Sequence, residues 1–295
     1  MQGAEGFVDG GWDLLRAFSF IPMARVDDLM ISFAAPGGSV GPHEDAYDVF
    51  LLQGPGRRRW QIQTGGSRTF DERAPVKVLT DFAPTDEWVL EPGDMLYLPP
   101  GVAHCGVAVD ACFTYSIGFL APSHDALVHN WLQYLAQTLA PEGLYADPGL
   151  RAPKDPIVLG DDMVAYVDRL LKNLGGDVED FLGRLLTGPK PHVVFTPPAR
   201  PMSLAKLAAR LRKPGVLALE KKSRGLVGGK RAFLNGESVA VNARCLRALA
   251  ALLRERELPL PLPRAVTDDD DAVAWLHWAY AAGFVALRGE PSRER

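Results

Sequence analysis

The chain has little cysteine and no long apolar run, and each shortage excludes a class of protein. Its 295 residues include three cysteines, Cys105, Cys112 and Cys245, an odd number without Cys-x-x-Cys spacing. This usage argues against a disulfide framework and is typical of a reduced cytoplasm. No apolar run approaches the roughly 20 residues that span a bilayer, and the first residues show no secretory pattern. We therefore expect a cytoplasmic protein that does not enter a membrane.

What the chain does have is enough apolar material for substantial cores. Hydrophobic residues make up 47% of the sequence, and the length allows roughly two domains. Charge is distributed unevenly: residues 201–295 hold 17 Lys and Arg against 10 Asp and Glu, which leaves 15 against 26 in residues 1–200. An acidic first part would favour the approach of a basic macromolecule.

Two histidines and one aspartate are the most informative residues. His43 and Asp45 form a His-x-Asp pair, and His104 follows 61 residues after His43. On a strand, side chains two residues apart leave the same face, so the pair can approach one ligand. Two histidines and one carboxylate leave open metal positions, which suits non-haem Fe(II) that must also bind a co-substrate and O₂. The pattern predicts an oxygenase, although a His-x-Asp pair alone is common and usually carries no such role.

The residues before His104 predict how it reaches the pair. Residues 88–98 form an apolar stretch interrupted by the turn signal Pro-Gly-Asp at 92–94. A second turn at 99–101 then delivers His104 on a neighbouring strand. Cys105 stands beside it, but strand alternation turns that thiol away from the metal.

An arginine cluster at residues 57–59 lies between two predicted strands, 49–52 and 60–63. Alternation places Arg58 on one face and its two neighbours on the other. Because a guanidinium grips a carboxylate with two prongs, we interpret Arg58 as inward, holding the distal carboxylate of a dicarboxylic co-substrate. The alternative, a solvated cluster at a strand end, is the interpretation we prefer for Arg57 and Arg59.

Longer motifs around these residues resemble the JmjC-type ribosomal oxygenases, and most of all the bacterial ribosomal protein arginine hydroxylases. The motifs are residues 25–33, 36–43, 47–50, 56–60, 91–94, 98–101 and 115–119. The resemblance is dense over residues 13–122 and continues more loosely to the C-terminus.

The resemblance implies an α+β fold in three parts. Residues 1–122 would form a JmjC barrel, a double-stranded β-helix of the jelly-roll or cupin-like kind. Residues 123–200 would form a helical dimerisation region, and residues 201–295 a winged-helix domain. The family further implies a homodimer that uses Fe(II), 2-oxoglutarate and O₂ to hydroxylate an arginine side chain of a large-subunit ribosomal protein.

The family's site residues carry over only in part. His43, Asp45 and His104 match its metal ligands, and Arg58 matches its 2-oxoglutarate arginine. Near that carboxylate the family places a serine where this chain has Ala34.

Ser32, on the same strand face as Ala34, and Thr114 are the candidates to replace the family's serine. Family members also carry strands before the stretch that begins here near Trp12. We therefore expect the N-terminal part of the family fold to be missing, which would leave sheet edges unpaired.

An arginine substrate needs a carboxylate near the metal, because a buried guanidinium without a partner is destabilising. Asp48, five residues after His43, is the residue we predict for this role. Strand alternation places Asp48 on the opposite parity from Asp45 unless the chain bends. A structural carboxylate bonded to a nearby backbone turn is an equally weighted alternative.

The second half of the chain shows helical and then mixed patterns. Apolar residues at three- and four-residue steps predict helices over 125–139, 162–171 and 178–186. Beyond residue 201, helix and strand signals alternate in the manner of a winged helix. Its basic residues invite a nucleic-acid interpretation, but a solvated basic wing is favoured because no aromatic platform accompanies them. They are Lys221, Lys222, Arg224, Lys230 and Arg231.

Two functions of different classes therefore stand at this point. One is a 2-oxoglutarate-dependent protein hydroxylase. The other is a non-catalytic, cupin-like metal-binding protein, such as a DNA-associated regulator. Arg58 favours the hydroxylase, because a barrel that only binds metal has no need of a carboxylate anchor.

Overall fold

The computed structural model describes residues 1–66, 69–70, 78–146 and 161–289 of the chain. Strands between residues 26 and 119 form two antiparallel sheets, with orders β1-β7-β2-β5 and β4-β3-β6. The strands are β1 (Val26–Ala34), β2 (Asp48–Gln53), β3 (Arg58–Gln63), β4 (Asp86–Leu90), β5 (Met95–Leu98), β6 (Ala103–Ala108) and β7 (Cys112–Phe119). Over the described ranges the two sheets stay separate, so the predicted cupin-like JmjC fold is present as an open pair of sheets.

Alternation along the strands gives the four-stranded sheet two different faces. One face carries Leu29 of β1 with Ile117 and Phe119 of β7, all fully buried. It packs on helix α1 (Gly11–Ala17) through Leu15 and on the neighbouring ring of Phe18. The opposite face carries shorter and more polar side chains and looks toward the three-stranded sheet. The first face therefore provides a core, and the second provides one wall of a cavity.

β1 departs from regular pairing at its start. Its register with β7 shifts between Val26 and Asp28, as in a β-bulge. A bulge re-aims the side chains next to it, so the alternation rule does not hold for the adjacent residues.

The predicted helices of the middle region are confirmed to within two residues at each end. They are α2 (His124–Thr138), α3 (Asp161–Lys172) and α4 (Val178–Thr187). Ser123 and Asp177 cap α2 and α4 by accepting backbone N–H groups. Helices α2 and α3 bury no residue in this chain. Helix α4 instead packs on the C-terminal part, where Gly183 lies against the ring of Phe233.

The C-terminal part has the helices and short antiparallel strands of a winged helix. Its elements are α5 (Leu204–Arg210), β8 (Gly215–Leu219), β9 (Gly225–Gly228), β10 (Arg231–Leu234), β11 (Glu237–Ala240), α6 (Ala243–Glu255), β12 (Glu257–Leu260), α7 (Arg264–Thr267), α8 (Asp270–Ala281) and β13 (Val285–Arg288). The strands form two sheets, with the orders β11-β10-β9 and β12-β8-β13. Asn235 and Gly236 turn β10 into β11 with φ values of 47° and 88°, the left-handed pair that a tight hairpin needs.

Basic residues of the C-terminal part connect it to β1, to the N-terminal segment and to α4. Arg224 donates to the carbonyl of Asp27 at 2.7 Å and also to that of Val26. Lys221 pairs with Asp9, and Arg231 pairs with Asp180 at 3.1 Å. Lys222 donates to the backbone carbonyl of Val194. Four of the five basic residues of the predicted wing therefore have partners within the chain.

None of the helices in the described ranges combines the length and apolar character that crossing a lipid bilayer requires.

Candidate metal centre

The two histidines meet through their backbones. His43 and His104 form an isolated antiparallel bridge, with N–H to carbonyl distances of 3.0 and 2.9 Å in the two directions. His104 lies on β6, as predicted, whereas His43 and Asp45 lie in the irregular segment before β2. The turn before β6 also holds the third residue, because Gly101 donates its N–H to the Asp45 carbonyl at 2.8 Å. Backbone hydrogen bonds between segments therefore bring His43, Asp45 and His104 together. The predicted strand through His43 and Asp45 is not formed.

The ring nitrogens of both histidines have defined roles. Nδ1 of His43 lies 2.9 Å from the carbonyl oxygen of Gly41, and Nδ1 of His104 lies 2.9 Å from that of Val102. Since a carbonyl oxygen only accepts, each Nδ1 carries a proton, and Nε2 is the ring nitrogen left to face a metal. Such backbone bonds fix the tautomer and the ring orientation of metal-binding histidines.

The ligand atoms of His43, Asp45 and His104 lie within 4.8 Å of one another. Asp45 Oδ2 is 3.7 Å from His104 Nε2. Burial lowers the pKa of His104, which keeps its imidazole neutral and available as a ligand. Burial also raises the pKa of Tyr47 to about 12, so its hydroxyl stays protonated and bonds to the Asp45 carboxylate. Two imidazoles oriented by backbone carbonyls and one oriented carboxylate fit a divalent metal with open positions.

Arg58 is buried beside this cluster, with 6% of its surface exposed, while Arg57 and Arg59 are exposed. Its Nη1 donates to Thr114 Oγ1 at 3.3 Å and its Nη2 to the Gly106 carbonyl at 3.2 Å. Its Nε has no hydrogen-bond partner, and no carboxylate of the described residues pairs with it. Burial lowers the pKa of this guanidinium. A buried cation without an anion is destabilising, which fits a site that an anionic ligand completes.

Trp60 and Gly106 shape the pocket around Arg58. The guanidinium carbon lies 4.9 Å from the centre of the Trp60 ring, at cation–π distance. A Cβ on Gly106 would stand 2.7 Å from both Arg58 Nε and the Trp60 ring. Only glycine therefore leaves the guanidinium in place at this position. Sequence reasoning missed both residues, because a strand glycine and a strand tryptophan have many other roles.

The three ligand side chains and Arg58 face one cavity of about 670 Å³. Thr114 and Ser32, paired across β7 and β1, both line it. Thr114 is the closer of the two to the anchor, because it accepts directly from Arg58. Ser32 donates only to the Thr114 carbonyl, at 3.5 Å.

Asp48 is not brought to this cavity. Its carboxylate lies 3.0 Å from Arg25 Nη2 and accepts from the Tyr97 hydroxyl at 2.7 Å, and it is absent from the cavity wall. Asp48 therefore points away from the face that carries the metal ligands, as strand alternation indicated. Its geometry matches a structural carboxylate with side-chain partners.

Asp27 and Asp28 do line the cavity. Both carboxylates reach one ammonium group, that of Lys190, at 2.8 and 3.5 Å. Adjacent residues on a regular strand would point to opposite faces, and the bulge at the start of β1 removes that restriction. The adjacent aspartates are visible in the sequence, but the bulge that lets both of them face the cavity is not.

Comparison with known proteins gives this geometry a family. A JmjC domain model matches residues 13–127, and a ROXA-like winged-helix model matches residues 171–285. A structure of the Escherichia coli ribosomal oxygenase YcfD aligns with a TM-score of 0.78 at 30% identity, covering 98% of this chain and 77% of that one. The chain belongs to the JmjC-type ribosomal oxygenases. The winged-helix match begins within the region predicted as helical, in line with the packing of α4.

A second structure of YcfD and two relatives compared by sequence extend the comparison. YcfD in complex with cobalt and 2-oxoglutarate aligns with a TM-score of 0.79 at 29% identity, over 97% of this chain and 77% of that one. The ribosomal protein uL16 3-hydroxylase of Escherichia coli is 34% identical over 77% of this chain, which spans 62% of that protein. A probable ribosomal oxygenase of Haemophilus influenzae is 44% identical over 39% of this chain and 29% of its own length.

Proposed function

We propose that the chain is an Fe(II)- and 2-oxoglutarate-dependent dioxygenase that hydroxylates an arginine side chain of a large-subunit ribosomal protein. The observation that carries the proposal is the buried Arg58 guanidinium, which has no carboxylate partner among the described residues and shares a cavity with three metal-ligand side chains. The family relatives support it, since a relative from Escherichia coli is named a uL16 3-hydroxylase and the ribosomal oxygenase YcfD of that organism has a structure with cobalt and 2-oxoglutarate.

Each residue has a defined part in this proposal. His43, Asp45 and His104 hold the metal and leave positions for the co-substrates. Bound Fe(II), 2-oxoglutarate and O₂ supply an oxidation that yields succinate and CO₂ and hydroxylates a C–H bond. Arg58 receives the distal carboxylate of 2-oxoglutarate, and the Thr114 hydroxyl, which accepts from Arg58, keeps its own proton to donate to the same carboxylate.

The arginine preference rests on the carboxylates that face the cavity. Asp27 and Asp28 stand on the wall of the same cavity as the metal cluster, and a guanidinium can bind two carboxylate oxygens at once. In this proposal Asp27 and Asp28, in place of Asp48, bind the positive charge of the substrate.

The DNA-associated alternative loses its main support. Lys221, Arg224 and Arg231 are engaged by Asp9, by backbone carbonyls of β1 and by Asp180. Phosphate binding would have to compete with these contacts.

We also propose a homodimer through residues 123–200. Exposed apolar side chains on α2 and α3 give this region the character of an association surface. They include Val128, Leu132, Val164, Val167 and Leu171. Light scattering on the Leu132→Asp variant should show a monomer, and an unchanged mass would contradict the proposal.

The test of the activity uses the full chain with purified uL16, Fe(II), 2-oxoglutarate and air. We expect succinate release together with a gain of one oxygen atom on an arginine-containing peptide, read by mass spectrometry. Asp45→Ala is the control and should give neither product. Succinate release without any oxygen on uL16 would contradict the substrate assignment while leaving the co-substrate assignment intact.

A further inference from the structure

Lys190 lies in the substrate cavity although it belongs to the chain itself. Its ammonium is 2.8 Å from Asp27 Oδ1 and 3.5 Å from Asp28 Oδ2, and its side chain is 29% exposed. Among the described residues, Lys190 is therefore the only cation that these two carboxylates contact, and it belongs to the protein and not to a substrate. It stands where the proposed function places the substrate's positive charge.

The backbone around Lys190 is held in place, whereas its side chain can change rotamer. Lys190 lies between Pro189 and Pro191, three residues after the end of α4, and prolines restrict the backbone at both positions. Lys222 donates to the Val194 carbonyl at 2.9 Å and ties the following residues to the C-terminal part. The ammonium itself sits on a flexible four-carbon stem and can leave the carboxylates without movement of the backbone.

We propose that Lys190 is a specificity-determining residue, an intramolecular competitor that a substrate's cationic side chain must displace from Asp27 and Asp28. This inference rests on the proposed function and adds a rule for which cation is accepted. A lysine side chain would replace one ammonium by another and gain nothing. A guanidinium gains, because its planar fork can engage both carboxylates, whereas Lys190 makes one short contact and one long one.

The thermodynamic signature of displacement separates this role from others. Displacing Lys190 lowers the affinity of every cationic ligand by the same factor. A neutral ligand that leaves Lys190 in place loses nothing. Removal of Lys190 should therefore strengthen arginine and lysine ligands equally and leave a neutral ligand unchanged.

The experiment uses three fluorescein-labelled peptides from uL16 that are identical except at one position, which holds arginine, lysine or norleucine. The arginine chosen is the one hydroxylated in the activity assay or, if none is, each uL16 arginine in turn. Binding to the full chain is measured by fluorescence anisotropy without 2-oxoglutarate, so that it does not depend on turnover. On the wild type, we expect the lysine peptide to bind no more tightly than the norleucine peptide.

On the Lys190→Met variant, both cationic peptides should bind about two- to fivefold more tightly, the effect of one partly exposed ion pair, and the norleucine peptide should not change. Lys190→Arg, a stronger occupant, should weaken the arginine peptide. Lys222→Met is the matched control, since it loosens the same segment without emptying the acidic pair, and should leave all three affinities unchanged.

Three results would overturn the inference. Weaker binding of cationic peptides to Lys190→Met would make Lys190 a direct contact. A parallel change for all three peptides would make it a structural tie. Absence of binding to either protein would remove the acidic pair as a subsite. Failure of the proposed function gives a different pattern, because the wild type would then bind the arginine peptide and leave it unmodified.

Discussion

Replacing Arg58 with alanine tests the co-substrate assignment most directly. The guanidinium keeps one bond to Thr114 and one to the Gly106 carbonyl, while its Nε and the second hydrogens of its terminal nitrogens remain for a ligand. A hydrogen bond to a charged group contributes about 1.5–3 kcal/mol. The loss of one such bond raises a dissociation constant roughly 10- to 150-fold. We expect an increase of at least this size in the KM for 2-oxoglutarate.

The assay is succinate release at a fixed uL16 concentration over a range of 2-oxoglutarate concentrations. Arg57→Ala is the matched control, because Arg57 pairs with Asp110 on the surface and is 49% exposed at its side chain. Its removal should change stability by about 1 kcal/mol or less and leave the KM unchanged. Arg58→Lys keeps the charge without the fork and should give an intermediate KM.

Two outcomes would refute the reasoning about Arg58. Equal KM values for Arg57→Ala and Arg58→Ala would remove the distinction between the buried and the exposed arginine. A KM for Arg58→Ala within twofold of the wild type, in a protein that still melts cooperatively, would show that the cavity holds 2-oxoglutarate in another way.

Three further variants separate the remaining roles. Asp45→Ala should abolish the rise in melting temperature that Co²⁺ gives the wild type, because a three-ligand face has no spare member; a retained shift would contradict the metal assignment. Gly106→Ala should raise the KM for 2-oxoglutarate about tenfold or more, because the new methyl group displaces the Arg58 guanidinium and a charge-assisted bond is lost. Binding of Co²⁺ should persist. An unchanged KM would contradict the role of Gly106 in holding Arg58. Asp28→Asn should weaken binding of the arginine peptide several-fold, whereas Asp48→Asn should leave that affinity unchanged, and the reverse order would restore Asp48 to the substrate site.

Local pattern was sufficient where the chain keeps regular alternation. The burial of Arg58 with its two neighbours exposed, the strand that carries His104 and the turn before it are all confirmed. Apolar spacing alone likewise predicted α2, α3 and α4 to within two residues at each end. These features depend on residues close in sequence, so the sequence contains the information that determines them.

Prediction failed where the conformation depends on distant segments or on a break in regularity. The β-bulge that brings Asp27 and Asp28 together has no signature in the local pattern. Asp48 was placed by its distance from His43 along the chain, but its parity and the contacts with Arg25 and Tyr97 turn it elsewhere. The basic residues of the wing gave no indication of their partners, because Lys221 and Asp9 are far apart in the sequence.

The contact of Arg224 with β1 has a consequence for how substrate preference can diverge in this lineage. Arg224 binds the main-chain carbonyls of Val26 and Asp27 and makes no use of the Asp27 carboxylate. Every amino acid at position 27 presents the same carbonyl, so the joint between the two parts of the protein tolerates any side chain there that preserves the bulge. If Asp27 binds the substrate as proposed, selection can exchange its side chain without disturbing the contact of its carbonyl with Arg224.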